Sequence, residues 1–231
     1  MLNIMNSVKL NKKINFSFEN FITKIELSNL DDFLIHNFIS INETVTIYYS
    51  LKKVFNDTDN DLSYYNDFQK TFYQFYGINR FTSDEFKKRY FDVLCNLRTD
   101  FHKSEINLYE FVKHNMIDST KDGRKIIQFS FATKALNLYN DKEYPIYDNN
   151  VNKVLKLNQD FNSKNEDERI NMYIENLYVI KGVYEKFLLS NTCKGIIKDF
   201  RNKFKYADET ISDLRIIDFL VWKIGDQFTK K

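Results

Sequence analysis

The chain has 231 residues and a mass of 27.8 kDa, the size of one large domain or two small ones. With 43% hydrophobic and 29% charged residues it can bury a core, while one Pro and five Gly exclude collagen-like, Pro-rich and Gly/Ser-linker architectures and argue against a turn-rich β-sandwich. The 34 Lys and Arg against 32 Asp and Glu leave +2, so a polyanion partner has to be sought in local charge.

In chain order, residues 1–20 show no clean period and read as an N-terminal arm or a short extended segment. Residues 21–231 read as a single α-helical unit, or as two helical lobes with a cleft near 130–150. Leu30 to Phe55 holds two helices, although Thr44–Tyr49 is β-branched enough to suit a strand. Phe68, Phe72, Phe75 and Tyr76 give the next helix an aromatic face. Ser83, followed by Asp84 and Glu85, is an N-cap for a helix through Phe91, Leu94 and Leu97. Helices over Leu108–Met116 and Lys125–Tyr139 flank a turn at 118–123. Pro145 sits in an extended link, after which Asp148 or Asn149 caps a helix through Leu157. Ile170, Ile174, Leu177, Tyr184 and Phe187 mark one face of a long helix over 167–189. Leu214, Ile217, Val221 and Ile224 mark the terminal helix, with Gly225 as its C-terminal stop. The fold class is all-α, with about eight to ten helices.

Cys95 and Cys193 form no disulfide framework and no zinc spacing, and read as small apolar side chains in a reducing compartment. Met1–Lys13 lacks an apolar core and a cleavage site, and no window reaches roughly 18 consecutive apolar residues. The expectation is a cytoplasmic protein with no membrane association.

Most chemical signatures are missing. Asp57-Thr58-Asp59-Asn60-Asp61 opens like a calcium loop, but Leu62 and Phe68 stand where Gly and the bidentate Glu belong. His36, His102 and His114 have no metal-ligand spacing, and no phosphate loop, dinucleotide fingerprint or nucleophile elbow occurs. Neither metal nor cofactor is expected.

The informative stretch is Phe129–Leu136 followed by Tyr144–Val151. It places Lys134 in the first turns of one helix and Asp148 at the start of the next. A short link with a rigid Pro joins them, so both groups can face one cleft. A carboxylate that stabilises positive charge on a sugar, beside an amine able to attack the anomeric carbon, is the minimum set for cleaving an N-glycosidic bond. The same residues equally suit an N-cap and a solvated helix lysine.

This segment resembles the helix-hairpin-helix (HhH-GPD) DNA glycosylase superfamily, most closely its bacterial branch of 8-oxoguanine-glycosylase-fold proteins. The branch phrase Ser-Phe-Ala-x-Lys appears at Ser130–Lys134, and Phe-Pro-Ile-x-Asp is matched by Tyr144–Asp148. Weaker phrases lie at Phe75-Tyr76-Gly77 to Tyr90-Phe91 and at Ile216–Gly225, so the resemblance spans about 65–225 and is specific in 129–151. It implies Asp148 as the catalytic aspartate and Lys134 as the nucleophile of members that also cleave the abasic site. It also implies Ser130, Ala132 and Thr133 as the hairpin edge against DNA. The hairpin glycines are absent, and the Lys–Asp separation is about one helical turn shorter than in the well-studied members. Two mechanisms therefore stand open, attack by Lys134 or attack by a water directed by Asp148.

A second DNA contact is read from local charge. Lys194, Lys198, Arg201, Lys203 and Lys205 with Asp199 give +4 between 194 and 205, interleaved with Phe200, Phe204 and Tyr206. That pattern suits a strip tracking phosphates, or a solvated helix face over core aromatics. Arg80, Lys87, Lys88 and Arg89 form a weaker cluster. The expectation is a monomeric glycosylase acting on duplex DNA that carries a damaged or modified base, 8-oxoguanine-like or hypermodified, in repair or antiphage defence. The competing expectation is a non-catalytic helical module that binds DNA or protein.

Overall fold

With a single Pro and few Gly to interrupt it, the backbone is helical through most of its length. The computed structural model describes residues 4–27, 30–57, 66–78, 82–99, 106–119, 124–157, 164–208 and 210–227. Eleven helices and one short β-hairpin make up its regular structure among these residues, and the all-α expectation holds. None of these helices is long and apolar enough to cross a membrane.

The N-terminal segment is helix, not an arm: α1 runs from Ile4 to Leu27 and lies along α8 (Asn149–Leu155) and α9 (Glu166–Leu188). Leu10, Ile14, Phe18 and Phe21 face the core. The exposed Phe16 on the opposite side blurs their period in the sequence. Ile14 fits because α9 carries Gly182, where a β-carbon would fall 2.5 Å from Ile14 Cδ1.

The next segments form α2 (Leu30–His36) and α3 (Phe38–Asn56). Thr44 and Thr46 are helical, each hydroxyl donating to the carbonyl one turn back at 2.8 and 2.7 Å. Next come α4 (Asn66–Tyr76) and α5 (Asp84–Thr99), the latter capped by Ser83 Oγ, which accepts from Phe86 N at 3.1 Å. The helix expected to begin at Lys125 begins later. Between α6 (Leu108–Asn115) and α7 (Phe129–Tyr139) the chain makes β1 (Ile117–Ser119) and β2 (Lys125–Ile127), paired antiparallel with Ile117 opposite Ile127. The pairing pins 125–127 in extended form, and Gln128 N then donates to Met116 O at 2.7 Å.

After α9 come α10 (Asn191–Lys203) and α11 (Asp213–Gln227). Gly225 lies within α11 rather than ending it, and serves a close approach to α8. The start of α11 is fixed by a buried junction. Lys52 of α3 donates to Leu138 O at 2.7 Å and pairs with Asp141 at 3.5 Å, and Asp141 accepts from Ser212 N at 3.1 Å. A cation at the C-terminus of α7 also offsets that helix's dipole. Most of the Asp57–Asp61 stretch, Arg80 and His102 lie outside the described residues, among which no cluster of metal-ligating side chains occurs.

Candidate functional site

The link between α7 and α8 is short and irregular, so its backbone groups need partners from outside a helix. Tyr144 N donates to Asn140 O at 3.0 Å, and Pro145 has no N–H to satisfy. Ile146 N donates to Asp218 Oδ2 at 3.0 Å, and Tyr147 N to Thr133 Oγ1 at 3.0 Å. Asn137 Nδ2 holds Tyr144 O at 2.7 Å. Thr133 and Asn137 sit one turn apart on α7, so one helix face grips the link along its length. Asp148 then caps α8, its Oδ1 accepting from Val151 N at 2.9 Å.

Held in this way, Asp148 lines a cavity of about 430 Å³ whose wall also includes Lys134, within the range of sites for small molecules. Two helical stripes face it. Ser40, Glu43, Thr44 and Ile47 come from α3, and Arg215, Asp218, Phe219 and Trp222 from α11, each at steps of three and four. Phe75, Tyr76 and Gly77 close it at the end of α4. Gly77 adopts a positive φ of 69° there, a backbone state that favours glycine. Trp222 is 38% exposed, so this indole borders the cavity rather than filling the core.

The electrostatics follow from burial. The Lys134 amine donates to Tyr76 O at 3.3 Å and lies 5.1 Å from the Phe131 ring centroid. Desolvation lowers its pKa from the ordinary lysine value, while the Asp148 carboxylate opposes the shift. Burial raises the Asp148 pKa, and the Val151 N–H and the Lys134 charge hold it back. Tyr76 is pushed up to about 12 by burial, and its hydroxyl has no hydrogen-bond partner among the described residues. Asp218 is wholly buried and raised to about 7 by desolvation, with Arg215 opposing. Arg215 lies 3.5 Å from Asp218 Oδ2 and is sandwiched 4.4 and 4.1 Å from the Tyr48 and Phe219 rings.

Of the residues expected at the site, Lys134 and Asp148 do come together. The hairpin residues behave differently. Ala132 and Thr133 are fully buried, and the N–H groups of Phe131 and Ala132 both donate to Gln128 O. Ala132 and Thr133 therefore present no side chain to a phosphate, and Thr133 anchors Tyr147 instead. Ser130 is half-buried, its carbonyl accepting from Thr133 Oγ1 at 3.0 Å.

In the basic strip, Lys194, Lys198, Lys203 and Lys205 are exposed, while Phe200 and Phe204 belong to the core. Arg201 is spent within the fold, donating to Ala207 O at 2.8 Å, Ile211 O at 3.0 Å and Asp213 at 2.5 Å. The strip is four lysines rather than five cations. Phe204 stacks on Phe38 at 5.3 Å, which sets the end of the strip beside the first turn of α3.

Sequence reasoning passed over Arg215 and Asp218. The available signal was two opposite charges three residues apart inside the apolar run Leu214–Trp222, a pattern that a buried helix face tolerates only for a paired group. The α3 stripe carried no signal, since Ser40, Glu43 and Thr44 look like any exposed helix face. No family model, curated protein or solved structure matches the chain.

Proposed function

We propose that the chain is a DNA glycosylase of the helix-hairpin-helix type, excising a damaged or modified base that is flipped into the cavity. The observation that carries this reading is that Lys134 and Asp148, fourteen positions apart on two helices, line one aromatic-walled cavity. They share it without a direct ion pair, and each acts on the other's charge.

The base enters against Phe75 and Trp222, whose rings suit an unstacked nucleobase. As the N-glycosidic bond breaks, its electron pair leaves with the base, which takes up a proton, and positive charge develops on the sugar. Asp148 in its ionised form stabilises that charge in a site of low dielectric. Two completions are available. A water attacks C1′ and gives its proton to Asp148, leaving an abasic sugar. Alternatively the neutral Lys134 amine attacks C1′ and the sugar ring opens to an imine, which can go on to strand cleavage. Burial of the amine favours the neutral form that the second route needs.

Incubation with duplexes that each carry one base from a panel of oxidised, alkylated and hypermodified bases, followed by alkali, tests this reading. Strand breakage at one or more modified positions is expected, and intact strands across the panel would remove it. A binding module is the second reading. It is favoured by the cap that Asp148 provides to α8, which is a sufficient structural role for that residue. It expects duplex binding with no abasic product.

A further inference from the structure

The link that presents Asp148 is gripped by α7 on one side and by α11 on the other, and the α11 grip is a single carboxylate. Asp218 Oδ2 accepts from Ile146 N at 3.0 Å and from Asn137 Nδ2 at 3.4 Å, and Arg215 Nη1 lies 3.5 Å from it. Asp218 is 1% exposed and Arg215 4%. A buried ion pair adds little stability over apolar side chains of the same volume, so its position carries the meaning. Pro145 donates nothing, so the Ile146 N–H is the first donor after the proline, two residues before Asp148. Nothing but a buried acceptor from another element satisfies it.

We propose that Asp218, steadied by Arg215, is a positioning residue that fixes Ile146–Asp148 and so sets the direction of the Asp148 carboxylate toward Lys134. The groups facing Asp218 come from every side: Arg215 on its own helix, Tyr184 from α9, Tyr76 from α4, Tyr48 from α3 and Asp148 from the link. Asp141 also bears on Arg215. The predicted consequence for rate rests on the glycosylase reading. The geometric claim does not.

The test uses the Lys134 amine as a gauge, titrated by NMR of the full-length protein with isotopically methylated lysines, Lys134→Gln supplying the assignment. Asp148 raises the Lys134 pKa, so Asp148→Asn lowers the titration midpoint in the wild-type background. In an Asp218→Ala background the same replacement should shift it by less than half as much, because the carboxylate no longer points at the amine. The Ile146 amide should lose its protection from hydrogen exchange. Asp218→Asn keeps an acceptor for Ile146 N–H and should restore both. If Asp218→Ala does not fold, Arg215→Met with Asp218→Leu removes the anchor while leaving neither charge unpaired. An Asp148→Asn shift of equal size with and without the anchor overturns the proposal. On an excised substrate the anchor-free variant should lose about tenfold to a hundredfold in kcat with KM little changed. The titration needs no DNA, so a chain that excises nothing leaves the positioning claim standing or falling by itself.

Discussion

Gly225 of α11 packs so closely on the first turn of α8 that a β-carbon there would fall 2.4 Å from the Asn150 carbonyl oxygen. The atom met is backbone, which cannot swing aside, so Gly225→Ala must push α8 and the adjacent Asp148 away from α11. An unfolding free energy lower by about 1–3 kcal/mol is expected, outweighing the gain of up to about 1 kcal/mol that alanine brings to a helix. Gly195 in α10 meets nothing within 4 Å, so Gly195→Ala should stabilise by about 0.5–1 kcal/mol. Urea unfolding of the two variants gives opposite signs if this packing is right.

Asp148→Asn keeps an oxygen for the Val151 N–H and loses the charge. Stability should change by less than about 1 kcal/mol, while excision falls about a hundredfold or more, a few kcal/mol of transition-state stabilisation. Single-turnover kinetics on an active substrate, paired with a melting curve, separates the two effects. Retained activity in the folded variant would take Asp148 out of the chemistry.

Lys134 decides between the two completions. If its amine attacks C1′, borohydride reduces the imine and leaves a stable protein–DNA adduct that Lys134→Gln lacks. Because burial lowers the amine's pKa, the neutral nucleophile persists to lower pH than for an exposed lysine. Trapping should weaken only as the pH falls through that lowered value. Excision without any adduct assigns the reaction to water.

Asp218 makes stability depend on pH with a definite sign. Its folded value of about 7 lies above its ordinary 3.8, so between these pH values the folded chain holds a proton that the unfolded chain has released. The stability it contributes is fully present below about pH 4, declines as the pH rises to about 7, and is flat above. Each unit of difference is worth about 1.4 kcal/mol, so the decline amounts to a few kcal/mol. Urea titrations at pH 5 and pH 8 should show wild type losing stability relative to Asp218→Asn across that interval. Parallel curves would mean that Asp218 is ionised throughout.

If the chain acts on duplex DNA as proposed, the four exposed lysines of the strip are its expected phosphate contacts. Lys198→Glu with Lys203→Glu should weaken duplex binding and reduce the slope of log K against log salt by ~0.9 for each phosphate that is no longer neutralised. Arg201 is left intact because its bonds to 207–213 hold the approach to α11. A slope that does not change makes the strip a solvated face.

Helices were legible in the sequence because their period is local. Ile170 to Phe187 along α9 and the Ser83 cap of α5 announce themselves within one or two turns. That Lys134 and Asp148 can face one cleft was legible for the same reason, since a single short link joins their helices. The helical state of 4–20 was not, because an exposed Phe16 adds an apolar residue off the buried face and only docking on Gly182 shows which side is inside. The strands at 117–119 and 125–127 needed their pairing, which no single strand of three residues carries alone. The cavity itself depended wholly on tertiary structure. Its α3 and α11 walls are about 175 positions apart in the chain, each a stripe at ordinary helical spacing. Only their packing together, around a Gly225 that lets α11 touch α8, turns an Arg215–Asp218 pair into the anchor of the Asp148 link. Burial, a property of the assembled fold, moves the Lys134 and Asp148 pKa values away from those of the free side chains.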